Sequence, residues 1–253
     1  MITVTDECIA DIPALHITDS AVSEEPLPAV IFWHGFLSGK EHNLHFAYNL
    51  AKNGVRVIMP EAAHHGERHE GLTEKQMLLQ FWTIVLQSVN ETAIIREELE
   101  RQKLIDDKRL FIAGTSMGGI IACGVLAAYS WIKGASILMG SPSWESFARH
   151  QITVLEQQGA LPLTEEETEK LIQKLIPYDL SQNQEVIADR PVFFWHGQDD
   201  DVVSYHESYE FYKEIKESQN DSTNIDYRLD PSAGHKVTRA GMLDMADWTL
   251  HHI

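Results

Sequence analysis

The chain has 253 residues and a mass of 28.7 kDa, with 43% hydrophobic and 23% charged side chains, values that exclude a disordered tail, a collagen and a coiled coil. Twenty Lys and Arg against 38 Asp and Glu leave a formal charge of −18, which repels nucleic-acid phosphates and anionic membrane surfaces. A length of this order means one or two domains with enough core to fold without a disulfide or metal staple.

The start, Met-Ile-Thr-Val-Thr-Asp-Glu, lacks the basic and apolar regions of a secretory signal, so a cytoplasmic protein is expected. The longest nearly apolar run, Met117 to Tyr129, is too short to cross a bilayer. Two cysteines, Cys8 and Cys123, make no disulfide framework, and Cys123 among Ile120, Ile121 and Val125 reads as a small core residue.

In chain order, Glu7 to Thr18 reads as an edge hairpin around Pro13, before the acidic turn at Ser23 to Pro26. Ala29 to Trp33 is a continuous apolar run of strand length, the pattern of a strand covered on both faces. A helix over about Glu41 to Lys52 closes at Asn53-Gly54, and Val55 to Met59 is the next strand. Residues 61–71 form a loop, and Thr73 to Gln102 reads as one long amphipathic helical region with Met77, Phe81, Ile84, Val85 and Val89 inward. A strand at Arg109 to Ala113, a helix at Gly119 to Tyr129 and a strand at Gly134 to Met139 follow.

This alternation predicts an α/β fold, a mostly parallel central sheet with helices on both faces. Residues 142–189 break it with two helical segments, Trp144 to Gln157 and Thr164 to Ile176, and read as a small helical cap inserted into a core made of 1–141 and 190–253. After it, Pro191 to Trp195, Tyr205 to Glu217, Asn224 to Leu229 and Lys236 to His252 read as strand, helix, strand and terminal helix.

Gly114-Thr115-Ser116-Met117-Gly118 matches Gly-x-Ser-x-Gly and lies between a predicted strand and a predicted helix, the context in which that motif exposes a nucleophilic serine on a sharp turn. A serine hydroxyl is a weak nucleophile near neutral pH. It needs an imidazole to take its proton and a carboxylate to orient the imidazole. His196-Gly197-Gln198-Asp199-Asp200-Asp201 and Ala233-Gly234-His235 both follow strands that end at the same sheet edge as Ser116, so these loops can converge. The Met117 N–H, directly after the serine, is one candidate donor to the oxyanion that forms when a carbonyl is attacked.

The order of these motifs resembles the α/β-hydrolase superfamily, in its dienelactone-hydrolase-like and prolyl-oligopeptidase-like branch, and most of all small bacterial esterases of that branch. The resemblance runs from Ala29 onward. It rests on His34-Gly35-Phe36, Ala63-His64-His65-Gly66-Glu67-Arg68, Gly114 to Gly119, His196-Gly197-x-x-Asp200 and Gly234-His235. It implies Ser116 as nucleophile, His235 as general base and then acid, and Asp200 as the orienting carboxylate, with Asp199 and Asp201 as alternatives whose other use is turn chemistry. It also implies the Phe36 N–H as second oxyanion donor.

That family reading implies a serine hydrolase acting on carboxylic esters with short acyl chains, without metal or cofactor. A prolyl-oligopeptidase-like peptidase and a non-catalytic receptor for a small apolar ligand are the competing readings. Neither His42 with His45 nor His64 with His65 and His69 matches a zinc spacing such as His-Glu-x-x-His, so no metal site is read. Residues 63–68 read instead as a structured loop near the mouth of the site, with Glu67 and Arg68 in a polar network. Phe36, Trp144 and Phe147, with Leu155 and Met139, are candidates to wall an apolar substrate pocket, plain packing being the competing use. The charge of −18 favours neutral over anionic substrates.

Overall fold

The apolar run at residues 29–33 lies near the centre of an eight-stranded sheet in a computed structural model that describes residues 1–157, 159, 164–187, 189–218 and 224–253. The strands are β1 (Ile2–Ile9), β2 (Ile12–Asp19), β3 (Leu27–Trp33), β4 (Arg56–Pro60), β5 (Ile105–Thr115), β6 (Gly134–Leu138), β7 (Val192–Gly197) and β8 (Ile225–Asp230). Their spatial order is β1-β2-β4-β3-β5-β6-β7-β8. The pairs β1/β2 and β2/β4 are antiparallel, and β4 through β8 in that order run parallel.

Helices cover both faces. On one side lie α1 (Leu44–Ala51) and α8 (Arg239–His252), packing Phe46, Leu50, Met245 and Trp248 against Val30, Phe32, Phe193 and Trp195. The other side holds α2 (Glu74–Leu79), α3 (Phe81–Arg101), α4 (Met117–Ala128), α5 (Trp144–Gln157), α6 (Glu165–Leu175) and α7 (Tyr205–Ser218), over a core that includes Ile31, Trp33, Ile112 and Phe194. Adjacent residues of β3 and β7 thus serve opposite cores, which is why neither strand alternates with polar residues. Among the described residues no helix is long and apolar enough to cross a membrane.

Three elements differ from their sequence reading. The edge hairpin runs from Ile2 to Asp19, longer than expected because the outward face of β1 is polar and exposed and carries no apolar signal. The helical region after residue 73 is broken at Gln80, whose N–H reaches the Gln76 and Met77 carbonyls. Met77 before the break and Phe81, Ile84 and Val85 after it are all buried, so the apolar spacing looks continuous across the interruption. Strand β5 begins at Ile105, where Leu27 pairs with it ahead of a register shift. Its exposed residues Asp107 to Arg109 hide that start.

Between β6 and β7, α5 packs on α6, and the turn Ile176–Tyr178 lies against α4. The buried Asp179 carboxylate ties this region together by accepting the Glu145 N–H in the first turn of α5 at 2.8 Å and the Ser181 N–H at 3.0 Å. Residues 158, 160–163 and 188 of the expected cap lie outside the described residues.

Candidate active site

Ser116 occupies the turn between β5 and α4 with φ 57° and ψ −118°, a conformation costly for a residue with a Cβ. The flanking glycines make that turn possible. A Cβ on Gly114 would lie 2.3 Å from the Gly118 carbonyl, and one on Gly118 would lie 2.0 Å from the Trp33 carbonyl oxygen. The turn is further held by the Ser116 N–H donating to the Leu138 carbonyl at 2.8 Å.

Ser116, His235 and Asp200 come together although 119 and 35 residues separate the successive pairs. The Ser116 hydroxyl donates to His235 Nε2 at 2.8 Å, and His235 Nδ1 donates to Asp200 at 2.8 and 2.9 Å. These partners assign the Nδ1–H tautomer, which leaves the Nε2 lone pair facing the serine. The Asp200 side chain is fully buried and also accepts the N–H groups of Val202 and Val203 at 3.0 and 2.9 Å. Burial alone would raise its pKa, but hydrogen bonds from His196, His235 and the Val203 amide outweigh that and hold the carboxyl well below the usual range. Asp199 and Asp201 are exposed. Asp201 instead lines the cleft beside Ser116.

The loop after β3 crosses close over the serine: a Cβ on Gly35 would lie 3.4 Å from Ser116 Cβ. That brings Phe36, the next residue, into the cleft wall. Its N–H makes no loop hydrogen bond among the described residues. The Met117 N–H belongs to the first turn of α4, where helix geometry leaves donors free and the helix dipole is positive.

The cleft has a volume of about 380 Å³ and is walled mainly by Phe36, Phe81, Ile120, Phe147 and Leu155, with His150, Gln151 and Asp201 as its polar side chains besides Ser116. Phe36 and Phe81 meet edge to face at 5.5 Å, and Phe81 and Phe147 lie 6.3 Å apart. Trp144 corrects the sequence reading, because it does not line the cleft. It is fully buried beneath it, donating Nε1–H to the Ile120 carbonyl at 3.1 Å and packing between Trp82 and Tyr178. Met139 likewise lies in the core on the α1/α8 side.

The loop at residues 63–68 carries a polar network. Arg68 makes a two-pronged pair with Glu91 at 2.7 and 2.8 Å and donates to the Glu61 carbonyl at 2.9 Å. Glu67 pairs with the Lys40 ammonium, which also reaches Asp6 at 2.9 Å. Carboxylate oxygens of Glu41, Glu61 and Glu67 cluster within 4.8 Å of one another, and Lys40 supplies a cation beside them. The burial of Lys40 and the contact of His65 with the β3 loop had no signal in the linear pattern, since both depend on partners more than 20 residues away.

Comparison with known proteins agrees with this architecture. The YitV protein of Bacillus subtilis (strain 168), named as a candidate esterase, is 41% identical over 250 residues covering 98% of both chains. Esterase YjfP of Escherichia coli (strain K12) is 34% identical over 238 residues, 94% of each. The crystal structure of TT1662 from Thermus thermophilus superposes with a TM-score of 0.76 at 19% identity, covering 99% of this chain and 98% of that one, which speaks for the fold alone. The prolyl oligopeptidase family profile matches residues 86–253, two-thirds of the sequence and all three of Ser116, Asp200 and His235. The chain is therefore a hydrolase of the α/β-hydrolase fold and belongs to the prolyl oligopeptidase family.

Proposed function

We propose that this protein is a carboxylesterase working through an acyl-enzyme on Ser116. The observation that carries the reading is the unbroken hydrogen-bonded chain Ser116–His235–Asp200, with 2.8 Å at each link. Ser116 Oγ attacks the ester carbonyl while His235 Nε2 takes its proton. The imidazolium is stabilised by ionised Asp200, and the oxyanion is bound by the N–H groups of Met117 and Phe36. His235 then protonates the departing alcohol, and water activated by the same imidazole releases the acid and restores Ser116. Nucleophile, base, orienting carboxylate and oxyanion donors all come from the chain, so this chemistry draws on neither metal nor cofactor.

Neutral esters with short acyl groups are the proposed substrates. No Lys or Arg lines the described cleft, Asp201 stands within it, and the net charge of −18 adds repulsion to anions. Residues 142–189 act as the cap whose helix α5 supplies one apolar wall.

Ser116→Ala should lower kcat on p-nitrophenyl acetate by about 10⁴ or more, and a fluorophosphonate probe should label wild type once and the variant not at all. Unchanged turnover in the variant ends the proposal, and an unlabelled wild type points to a receptor. The family match favours one second reading, a peptidase. Comparable kcat/KM for dipeptide p-nitroanilides and p-nitrophenyl esters would support it.

A further inference from the structure

The loop at residues 63–68 takes no part in the steps above, yet one of its imidazoles touches the loop that carries Phe36. The Leu37 N–H donates to His65 Nε2 at 3.0 Å, and His65 Nδ1 donates to the Ala63 carbonyl at 2.8 Å. Together these bonds demand a neutral ring with its proton on Nδ1 and its lone pair on Nε2. An imidazolium would turn a donor toward the Leu37 N–H. The ring is 3% exposed and stands edge-on to Phe36 at 5.7 Å and to His34 at 5.1 Å. Burial foremost, with His34 and His64 assisting and the Ala63 carbonyl and Glu61 opposing, pushes its pKa down to about 4.

His34 grips the adjoining peptide unit. Its Nδ1 donates to the Gly35 carbonyl at 2.8 Å, while Nε2 lies 3.0 Å from both the Ala62 N–H and Glu61 Oε1. The Gly35 carbonyl shares a peptide plane with the Phe36 N–H, and the Leu37 N–H shares one with the Phe36 carbonyl. One imidazole therefore holds each of the two planes that meet at Phe36. Such holding is needed because Leu37 has φ 56° with a half-exposed side chain. Its left-handed backbone is strained, and packing of its own side chain does little to fix it.

We propose that His65, together with His34, is a positioning residue that locks the Phe36 N–H in the direction needed to receive the oxyanion. The proposal rests on the reading of Phe36 as an oxyanion donor. It separates the loop's role from plain stability because misdirecting one donor weakens binding of the tetrahedral state more than binding of the ester.

The test measures p-nitrophenyl acetate kinetics and inhibition by phenylboronic acid, which forms a tetrahedral adduct on an activated serine, for wild type, Ser116→Ala, His65→Ala and His65→Gln. His65→Ala should lower kcat by about 10- to 100-fold with KM within about twofold, and weaken phenylboronic acid by the same factor as kcat. His65→Gln, which restores an acceptor, should recover most of both. An active Ser116→Ala defeats the esterase mechanism and the present inference with it. An inactive Ser116→Ala beside a His65→Ala of near-normal kcat, or of lowered kcat with undiminished inhibitor binding, overturns this inference alone. If His65→Ala fails to fold, ¹⁵N NMR of wild type decides: His65 should be neutral and protonated on Nδ1 from pH 5 to 8, and a proton on Nε2 at pH 7 overturns the proposal.

Discussion

Three adjacent aspartates show how much at a single residue depends on surroundings. Asp199 and Asp201 face solvent, whereas the Asp200 carboxylate is sealed from it and receives donors from His235 and two backbone N–H groups. Those donors outweigh burial and hold its pKa well below the usual carboxylate range, which favours the ionised carboxylate that accepts from His235 Nδ1. Asp200→Asn should lower kcat by about 10⁴, as loss of an orienting carboxylate does in other triads, while Asp199→Asn and Asp201→Asn should stay within about tenfold. Stopped-flow hydrolysis of p-nitrophenyl acetate checks this, and an active Asp200→Asn variant would remove the acid from the mechanism. In the sequence the family resemblance pointed to Asp200 and left Asp199 and Asp201 as alternatives; the burial of Asp200 and its donors are visible only in the folded chain.

Helix α5 shows the limit of pattern at the scale of elements. Trp144 and Phe147 are three residues apart and so share a helix face, yet one is core and the other wall. Trp144 sits at the start of α5, where it fills the space above Gly124: a Cβ on that glycine would lie 2.2 Å from the indole. Phe147, nearly one turn on, lines the cleft. Trp144→Ala should cost about 3–5 kcal/mol in urea unfolding. Phe147→Ala should chiefly raise KM for p-nitrophenyl esters while changing stability by less than about 2 kcal/mol. Equal stability losses with no change in KM would return Phe147 to the core. The same logic explains the break at Gln80, because helical periodicity records which residues point inward and is blind to a local interruption that keeps them inward.

Across the whole molecule, the buried neutral histidines make stability depend on pH. His65 is pushed to about 4 by burial, and the part-buried His16 is lowered, also chiefly by burial. In the unfolded chain a histidine takes up its proton near pH 6.5, so the unfolded state binds more protons between about 6.5 and 4. The folded state is accordingly at full strength above pH 6.5 and loses stability as pH falls toward 4, by on the order of 3 kcal/mol from His65. Tm should drop over that window, and His65→Gln should flatten the drop; a Tm independent of pH from 7 to 4 would contradict it. The linear sequence determined the strand–helix alternation and the serine turn, because each is set by local periodicity or by glycines at fixed offsets, whereas the roles proposed for Ser116, Asp200 and His235 came from the resemblance in motif order. Tertiary structure alone decided which aspartate is buried, that Trp144 is core, that Lys40 is buried beside Glu67, and that His65 reaches Leu37. Those outcomes depend on how strands β3, β4, β5, β7 and β8 bring their carboxyl-terminal loops to one edge, and no short-range rule in the chain encodes distances across it.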